Sequence, residues 1–348
     1  MILKDITYAP YKLPFRKNFA TSKDTYNFRR GFIIKITDEL NNIGLGEASP
    51  LENFGTDTFE NAAKSLTELK NNFINTDLTD NFNALSNFSR LQKFSPTVHF
   101  AFDQSLISLL LKRNQNSLPE IFSNRKTIIP VNFVIGLEDD SKIFSELKIA
   151  IDNGFKTFKF KVGRKNFASD VRVISEIRES YGDLINIRID ANGNWSYSDA
   201  EQIVRQFEKL NIQFIEQPVK EISDICKLSQ LTSVPVAPDE CIKNFADVKY
   251  FLGCEKINFI VLKPSLFGSI FNTLNLIEEV EKSGKTTIIS SALETAVGRS
   301  AVSFIASFVK HNFAHGLDTA KFFKDDTENN FYKIKNGLID ISEYPPEF

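Results

Sequence analysis

Five charged side chains punctuate the middle of this 348-residue chain, each at or just past the end of a short apolar run: Lys161, Asp190, Glu216, Asp239 and Lys263. Subtracting successive numbers gives intervals of 29, 26, 23 and 24 residues. One strand, one helix and two short connections take roughly 30 residues or slightly fewer, so the ladder presents one charge per βα unit. If such units close into a barrel, all the strand ends share one mouth and the five groups converge there. Three carboxylates flanked by lysines describe a metal site with bases beside it.

The runs that carry these charges alternate with amphipathic stretches from Thr127 onward. Ile128 to Ile135, Phe155 to Val162, Ile185 to Ala191, Gln213 to Gln217, Val234 to Pro238, Ile257 to Leu262, Thr286 to Ser291 and Asn312 to Leu317 read as strands. Ser141 to Asp152, Ala168 to Tyr181, Ser198 to Leu210 and Ser269 to Ser283 read as helices between them. Eight strands separated by helices predict an α/β parallel barrel of the TIM type. The N-terminal part differs. Leu3 to Leu13, Gly31 to Thr37 and Leu45 to Ala48 suggest a small antiparallel sheet, while Thr56 to Asn72, Asn81 to Leu91 and Thr97 to Lys112 have helical periodicity. The expected division is an α+β capping domain over residues 1–115 and a barrel over 116–324. A hairpin turning at Asn336-Gly337 is expected to return to the cap sheet, so that residues 325–348 complete the cap.

Composition narrows the function. With 42 basic and 44 acidic residues and a net charge of −2, the chain has no electrostatic footprint for nucleic acid. No run approaches the roughly 18 apolar residues of a membrane span, and Met1 to Phe15 holds no apolar signal core, so a soluble cytoplasmic protein is expected. Cys226, Cys241 and Cys254 are odd in number and lack C-x-x-C spacing, which predicts neither a disulfide framework nor a zinc ribbon.

Strand parity assigns directions to the charges. Phe158, Phe160 and Val162 share one face and Thr157, Lys159 and Lys161 the other. With the aromatic face under the helices, both lysines point into the barrel, where a bare ammonium costs several kcal/mol unless negative charge meets it. Arg188, Asp190 and Asn192 share the inward parity of the next strand, and Glu216 precedes Pro218, which ends the ladder there. Taken singly, a strand-end carboxylate is an ordinary helix cap; three in consecutive units are a ligand set. Oxygen donors without cysteine or histidine nearby select Mg²⁺, or Mn²⁺, over zinc. Lys161 and Lys263 on either side of a divalent ion suit proton abstraction beside a carboxylate, with Lys161 neutral as the base and its pKa depressed by Lys159 and the metal.

The pieces Lys159-Phe160-Lys161, Asp190-Ala191-Asn192, Glu216-Gln217-Pro218, Asp239-Glu240 and Lys263-Pro264-Ser265 resemble the enolase superfamily over essentially the whole chain. The resemblance implies a modified (β/α)7β barrel with an α+β N-terminal cap, and Asp190, Glu216 and Asp239 as Mg²⁺ ligands. Leu262 to Gly268, Ser290 to Thr295 and His315 to Thr319 are most similar to the o-succinylbenzoate synthase family, a group of dehydratases in menaquinone biosynthesis. By that resemblance Lys161 removes the α-proton of a cyclohexadiene carboxylate and protonates the departing hydroxyl in a syn elimination. Lys263 then stabilises the enolate, Lys159 assists electrostatically, and Ser291, Gly316 and Asn192 lie near the substrate. Phe19 to Arg30, including Thr21, Ser22 and Lys23, and Gly46 to Pro50 are the loops expected to close over it. The rival readings are an N-acylamino acid racemase or dipeptide epimerase, which share both lysines and the ligands, and a non-catalytic metal-binding barrel. Dipeptide epimerases usually carry Asp-x-Asp on the last barrel strand; here that region reads His315-Gly316-Leu317-Asp318-Thr319.

Overall fold

The structure, a computed structural model, describes residues 1–20, 25–114, 123–164, 166–326 and 332–342. Strand β1 (Leu3–Ala20) pairs antiparallel with β2 (Thr25–Asp38), and β2 with β3 (Ile43–Ala48). Alternation buries Leu3, Ile6, Ile34 and Ile36 on one face of this sheet, in one core with helices α1 (Phe59–Phe73), α2 (Phe82–Arg90) and α3 (Pro96–Arg113). Glycines in β3 bring it against the backbone of α3: a Cβ at Gly46 would stand 2.0 Å from the Ala101 carbonyl oxygen, and one at Gly44 2.2 Å from that of Ser105.

The remainder alternates strand and helix: β4 (Ile128–Pro130), β5 (Phe133–Ile135), α4 (Asp140–Asp152), β6 (Thr157–Lys161), α5 (Phe167–Tyr181), β7 (Asn186–Asp190), α6 (Tyr197–Gln206) and β8 (Ile212–Glu216). It continues with α7 (Ile222–Ser229), β9 (Val236–Ala237), α8 (Phe245–Leu252), β10 (Phe259–Leu262), α9 (Pro264–Phe267), α10 (Ile270–Lys282), β11 (Thr286–Ile289), α11 (Ala296–Ala306), β12 (Ile334–Lys335) and β13 (Leu338–Asp340). Strands β5 to β9 pair in parallel and in sequence order, as do β10 and β11. Val261 N donates to Pro238 O at 3.0 Å and links the two sets. The expected eighth strand is reduced to two parallel bridges, His315 with Val131 and Gly316 with Ser290, and these close the ring. Phe214, Ala237, Phe259, Val261 and Ile288 fill its interior, while Phe158, Ile187, Ile189 and Ile215 join the larger core under the helices.

Buried carboxylates pin cap to barrel. Asp103 on α3 accepts from Ser269 Oγ (2.8 Å) and Ile270 N (2.9 Å), meeting the N-terminus of α10. Glu47 on β3 accepts from Tyr11 Oη (2.6 Å), Thr295 Oγ1 (2.5 Å) and Gly298 N (2.7 Å) at the start of α11. Arg29, buried on β2, donates to Leu293 O at 3.0 Å.

Five expectations need correction or lie out of reach. The C-terminal hairpin forms at Asn336 and Gly337, both with positive φ, but β13 pairs with β4 and not with the cap sheet. Buried Ile339, opposite Ile129, takes its place in the core, while Phe323 and Lys324 bond to β1. Cys226 and Cys254, 28 residues apart with Cα atoms 5.9 Å apart, form a disulfide where none was expected. Cys226 sits on α7 and Cys254 follows α8, so two helices flanking β9 bring them together, a proximity that spacing in the chain does not reveal. Gly46 to Ala48 belong to β3, and Ser49 and Pro50 are buried after it, so this segment is part of the joint and not a free loop. Thr21, Ser22 and Lys23, and the expected domain boundary between residues 115 and 116, lie outside the described residues. Among the described residues no helix is long and apolar enough to cross a membrane.

Reducing the disulfide frees a loop of 28 residues, for which chain entropy sets a loss of about 3–4 kcal/mol. A Cys226→Ser variant and the dithiothreitol-treated protein should therefore show the same lowered urea midpoint, with the untreated protein above both. A second expectation concerns pH. Burial pushes His311 down to about 4 and His315 well below its ordinary value. The unfolded chain protonates these rings near 6.5, the folded one does not, so stability falls as pH drops from about 6.5 toward 4. Urea midpoints measured across that window should fall less steeply in a His311→Asn variant.

Candidate active site

The β6–β7–β8 register places Lys161 beside Asp190 and Asp190 beside Glu216, while Asp239 follows β9 and Lys263 follows β10. The predicted ladder therefore converges at one end of the barrel. Lys159 Nζ stands 3.0 Å from Asp190 Oδ2 and 2.9 Å from Glu216 Oε1. Lys161 Nζ donates to Asp190 Oδ2 at 2.6 Å and to Asn192 Oδ1 at 2.8 Å, and Lys263 Nζ pairs with Asp239 Oδ1. All three carboxylates and both Lys159 and Lys263 are buried, whereas the Lys161 side chain keeps 28% of its surface exposed. Lys161 is thus the ammonium that faces the opening.

Burial works against every ionised group here, and neighbouring charge decides which survives. Lys159 is raised because Glu216, Asp190 and Asp239 outweigh its burial, and Lys263 because Asp239 and Glu240 outweigh its own. Asp190 is lowered against its burial by Lys161 and Lys159, and Asp239 by Lys263 and Lys159. Glu216 goes the other way: burial, then Asp190, push it well above the usual carboxylate range. Glu240 is raised by burial and by Asp239. Three buried carboxyl groups and the half-buried Glu240 thus share one layer with three lysines, and Glu216 is left short of compensating positive charge.

That shortage is the test of fit for a metal. Among the described residues no three carboxylates stand as ligands of a common point, and ammonium groups lie against each of them. The donors are hard oxygens, buried, mutually repelling and in need of cationic charge, which fits a divalent ion of the magnesium type.

Two residues with positive φ shape the mouth. Asn192 (φ 48°) gives its backbone N–H to Asp190 Oδ1 (2.9 Å) and its Nδ2 to Glu240 Oε1 (2.6 Å), so it bridges Lys161 to Glu240 and does not present a free amide. Gln217 (φ 38°) accepts from Asp239 N (2.8 Å) and Cys241 N (3.2 Å) and donates to Val219 O (2.8 Å), fixing the turn that carries Asp239. Backbone strain of this kind collects at functional sites. The sequence reading quoted Gln217 and Glu240 only as parts of motifs; their signal was adjacency to a ligand.

Ser291 and Gly316 come together through Ser291 N donating to Gly316 O at 2.9 Å. The Ser291 hydroxyl donates to Glu294 Oε2 (2.5 Å), accepts from Leu293 N (3.2 Å) and meets Thr319 Oγ1 (2.9 Å). Glu294, read from the sequence only as part of the Ser290–Thr295 motif, also takes Ser265 Oγ at 2.8 Å and so ties the loop after β10 to that after β11. Asp318 pairs with Lys321 at 2.8 Å. From the cap, the Phe54 ring centroid lies 5.8 Å from Lys263 Nζ, and both line a recess with Asp239, Glu240 and Leu266.

Residues 143–345 match the family described as Enolase C-terminal domain-like, and residues 4–108 the one described as MenC, N-terminal domain. The chain belongs to the enolase superfamily. Within it the chain is 27% identical to the o-succinylbenzoate synthase of Aliivibrio salmonicida over 90% of each chain. It is 25% identical to the dipeptide epimerase of Cytophaga hutchinsonii solved with Mg and the dipeptide D-Ala-L-Val, with a TM-score of 0.84 over 98% of this chain and 94% of that one. It is 26% identical to the Arabidopsis thaliana protein PHYLLO, chloroplastic, of whose length it spans 21%.

A metal at this site would compete with the lysines for the carboxylates and stabilise the folded state by mass action. Thermal unfolding should move upward with added Mg²⁺ and return with a chelator. Asp239→Asn should abolish the shift, and calorimetry should then register no binding.

Proposed function

We propose that the protein is an o-succinylbenzoate synthase: a Mg²⁺-dependent hydro-lyase converting 2-succinyl-6-hydroxy-2,4-cyclohexadiene-1-carboxylate to 2-succinylbenzoate in menaquinone biosynthesis. Asp190, Glu216 and Asp239 would hold the ion, which when bound supplies positive charge to the substrate carboxylate as its α-carbon becomes an enolate. The half-exposed Lys161, its geometry set by Asp190 and Asn192, takes the α-proton in its neutral form. The carbon–hydrogen electron pair becomes the new double bond as the carbon–oxygen bond breaks. Lys161, now an ammonium, returns the proton to the departing hydroxyl on the same face, so that water leaves. Lys263, kept protonated by Asp239 and Glu240, faces the developing negative charge, and Lys159 adds positive potential from below. Ser291, Gly316 and Asn192 act as the wall near the substrate, with Ser291 and Asn192 working through the groups they position.

The observation that carries dehydration over epimerisation is the last barrel segment. It has no Asp-x-Asp pair to hold a dipeptide ammonium, and Asp318, its single carboxylate, is taken by Lys321. The rival is racemisation or epimerisation, with Lys161 and Lys263 exchanging protons on opposite faces of one carbon; it is favoured by the likeness to a dipeptide epimerase.

An ultraviolet assay for aromatisation with Mg²⁺, run beside a panel of N-succinyl amino acids and dipeptides, separates these readings. Aromatisation should proceed in the wild type and fall about 10²–10⁴-fold in Lys161→Ala, the usual span for removing a general base, with circular dichroism unchanged. Turnover of the panel without aromatisation would replace the dehydratase with a racemase or epimerase, and no turnover of either would leave a metal-binding barrel.

A further inference from the structure

Below the lysine–carboxylate layer the barrel interior holds a positive charge that, among the described residues, has no carboxylate in ion-pair contact; Glu216 above it acts only through space. Arg188 lies in register with Lys159 and Phe214 on the neighbouring strands and shares their inward parity. Its side chain is 1% exposed and runs away from the carboxylates: Nε donates to Gln213 Oε1 at 2.6 Å, and Nη1 to Asn132 Oδ1 at 3.1 Å and Ala314 O at 2.8 Å. Every one of these acceptors is neutral. Among the described residues no carboxylate pairs with Arg188, and Nη2 has no hydrogen-bond partner. The Nδ2 of Asn132, 1% exposed, is likewise unpartnered. The two orphaned donors stand one atom away on either side of the Nη1···Oδ1 hydrogen bond. The wall beside them is apolar, with the guanidinium carbon 4.6 Å from the Phe214 ring centroid and Phe214 packed against Phe259 at 5.0 Å.

A buried guanidinium without an ion-pair contact is costly, and each unsatisfied buried donor adds to the cost. Both orphaned groups are donors, which decides the chemistry of the occupant. A water would accept from them but would bring two hydrogens of its own to an apolar wall. A monatomic anion accepts from both and needs no acceptor in return, whereas an oxyanion such as phosphate would need donors that the cluster lacks. We propose that Arg188 Nη2 and Asn132 Nδ2 hold a chloride-sized anion inside the barrel, as a structural ion separate from the groups at the mouth. It satisfies both orphaned donors and requires nothing of the reaction assigned above.

The test is a comparison of unfolding midpoints of the full-length, Mg²⁺-loaded protein in chloride, bromide and gluconate at constant ionic strength. Chloride and bromide should raise the midpoint saturably over gluconate, the folding constant rising roughly tenfold when the halide reaches ten times its dissociation constant. Arg188→Met removes a donor and should abolish the dependence. Asn132→Asp places a fixed carboxylate beside Arg188; it should fold and show no halide effect even if Arg188→Met does not fold. Bromide-grown crystals should give an anomalous peak within hydrogen-bond distance of Arg188 Nη2. Equal midpoints in halide and gluconate, a halide effect that survives in Asn132→Asp, or a water in place of the peak would each overturn the assignment.

Discussion

The structure turns on the need to compensate buried charge at one end of the barrel. Asp190, Glu216 and Asp239 are withdrawn from water together with Lys159 and Lys263, and none of them is tolerable there alone. Each lysine is fixed by the carboxylate of a neighbouring strand, so the ionic contacts hold only if β6, β7, β8 and β9 keep their parallel order and register. A slip of one residue would turn Lys159 and Asp190 toward the helices and Phe158 and Ile189 toward the mouth. The residues that give the site its chemistry therefore also penalise every misregistered barrel.

The cap depends on the same end of the barrel. Glu47, Arg29 and Asp103 reach from β3, β2 and α3 to the starts of α11 and α10 and to the loop at Leu293. Their burial in an otherwise apolar joint makes the seating directional, because a carboxylate or guanidinium placed elsewhere would lose its partners. Glu294 then couples the loops after β10 and β11, so the Ser265 and Ser291 hydroxyls are set before any ligand arrives. A site arranged in this way carries its geometry in advance, as electrostatic catalysis requires.

Much of this was legible beforehand because it rests on periodicity. Parity in Phe158 to Val162 assigned Lys159 and Lys161 to the interior, and the intervals between Lys161, Asp190, Glu216, Asp239 and Lys263 placed them at one mouth. What stayed hidden depends on contacts between distant segments. Cys226 and Cys254 carry no pairing signal until α7 and α8 flank the same strand. The hairpin at Asn336-Gly337 was readable as a turn, but its partner β4 was not, since an alternating strand pairs with whichever edge offers its buried face a core. Glu47 was read only as part of a closing loop and Glu294 only as part of a motif, because nothing local marks a carboxylate that will be met by donors 248 residues away or in the next loop.

By itself the sequence determined the repeat, the inward parity of the charges and the oxygen-donor character of the ligand set, because strand geometry imposes a period of two and a βα unit a nearly constant length. Only the tertiary structure decided which lysine meets which carboxylate and that Lys161 alone of the three faces the opening. It also decided that Asn192 and Ser291 have their hydrogen-bonding groups already engaged and that, among the described residues, Arg188 lies inside the barrel with no carboxylate in ion-pair contact. Those outcomes depend on distances and on access to water, which arise when strands far apart in the chain close around one interior.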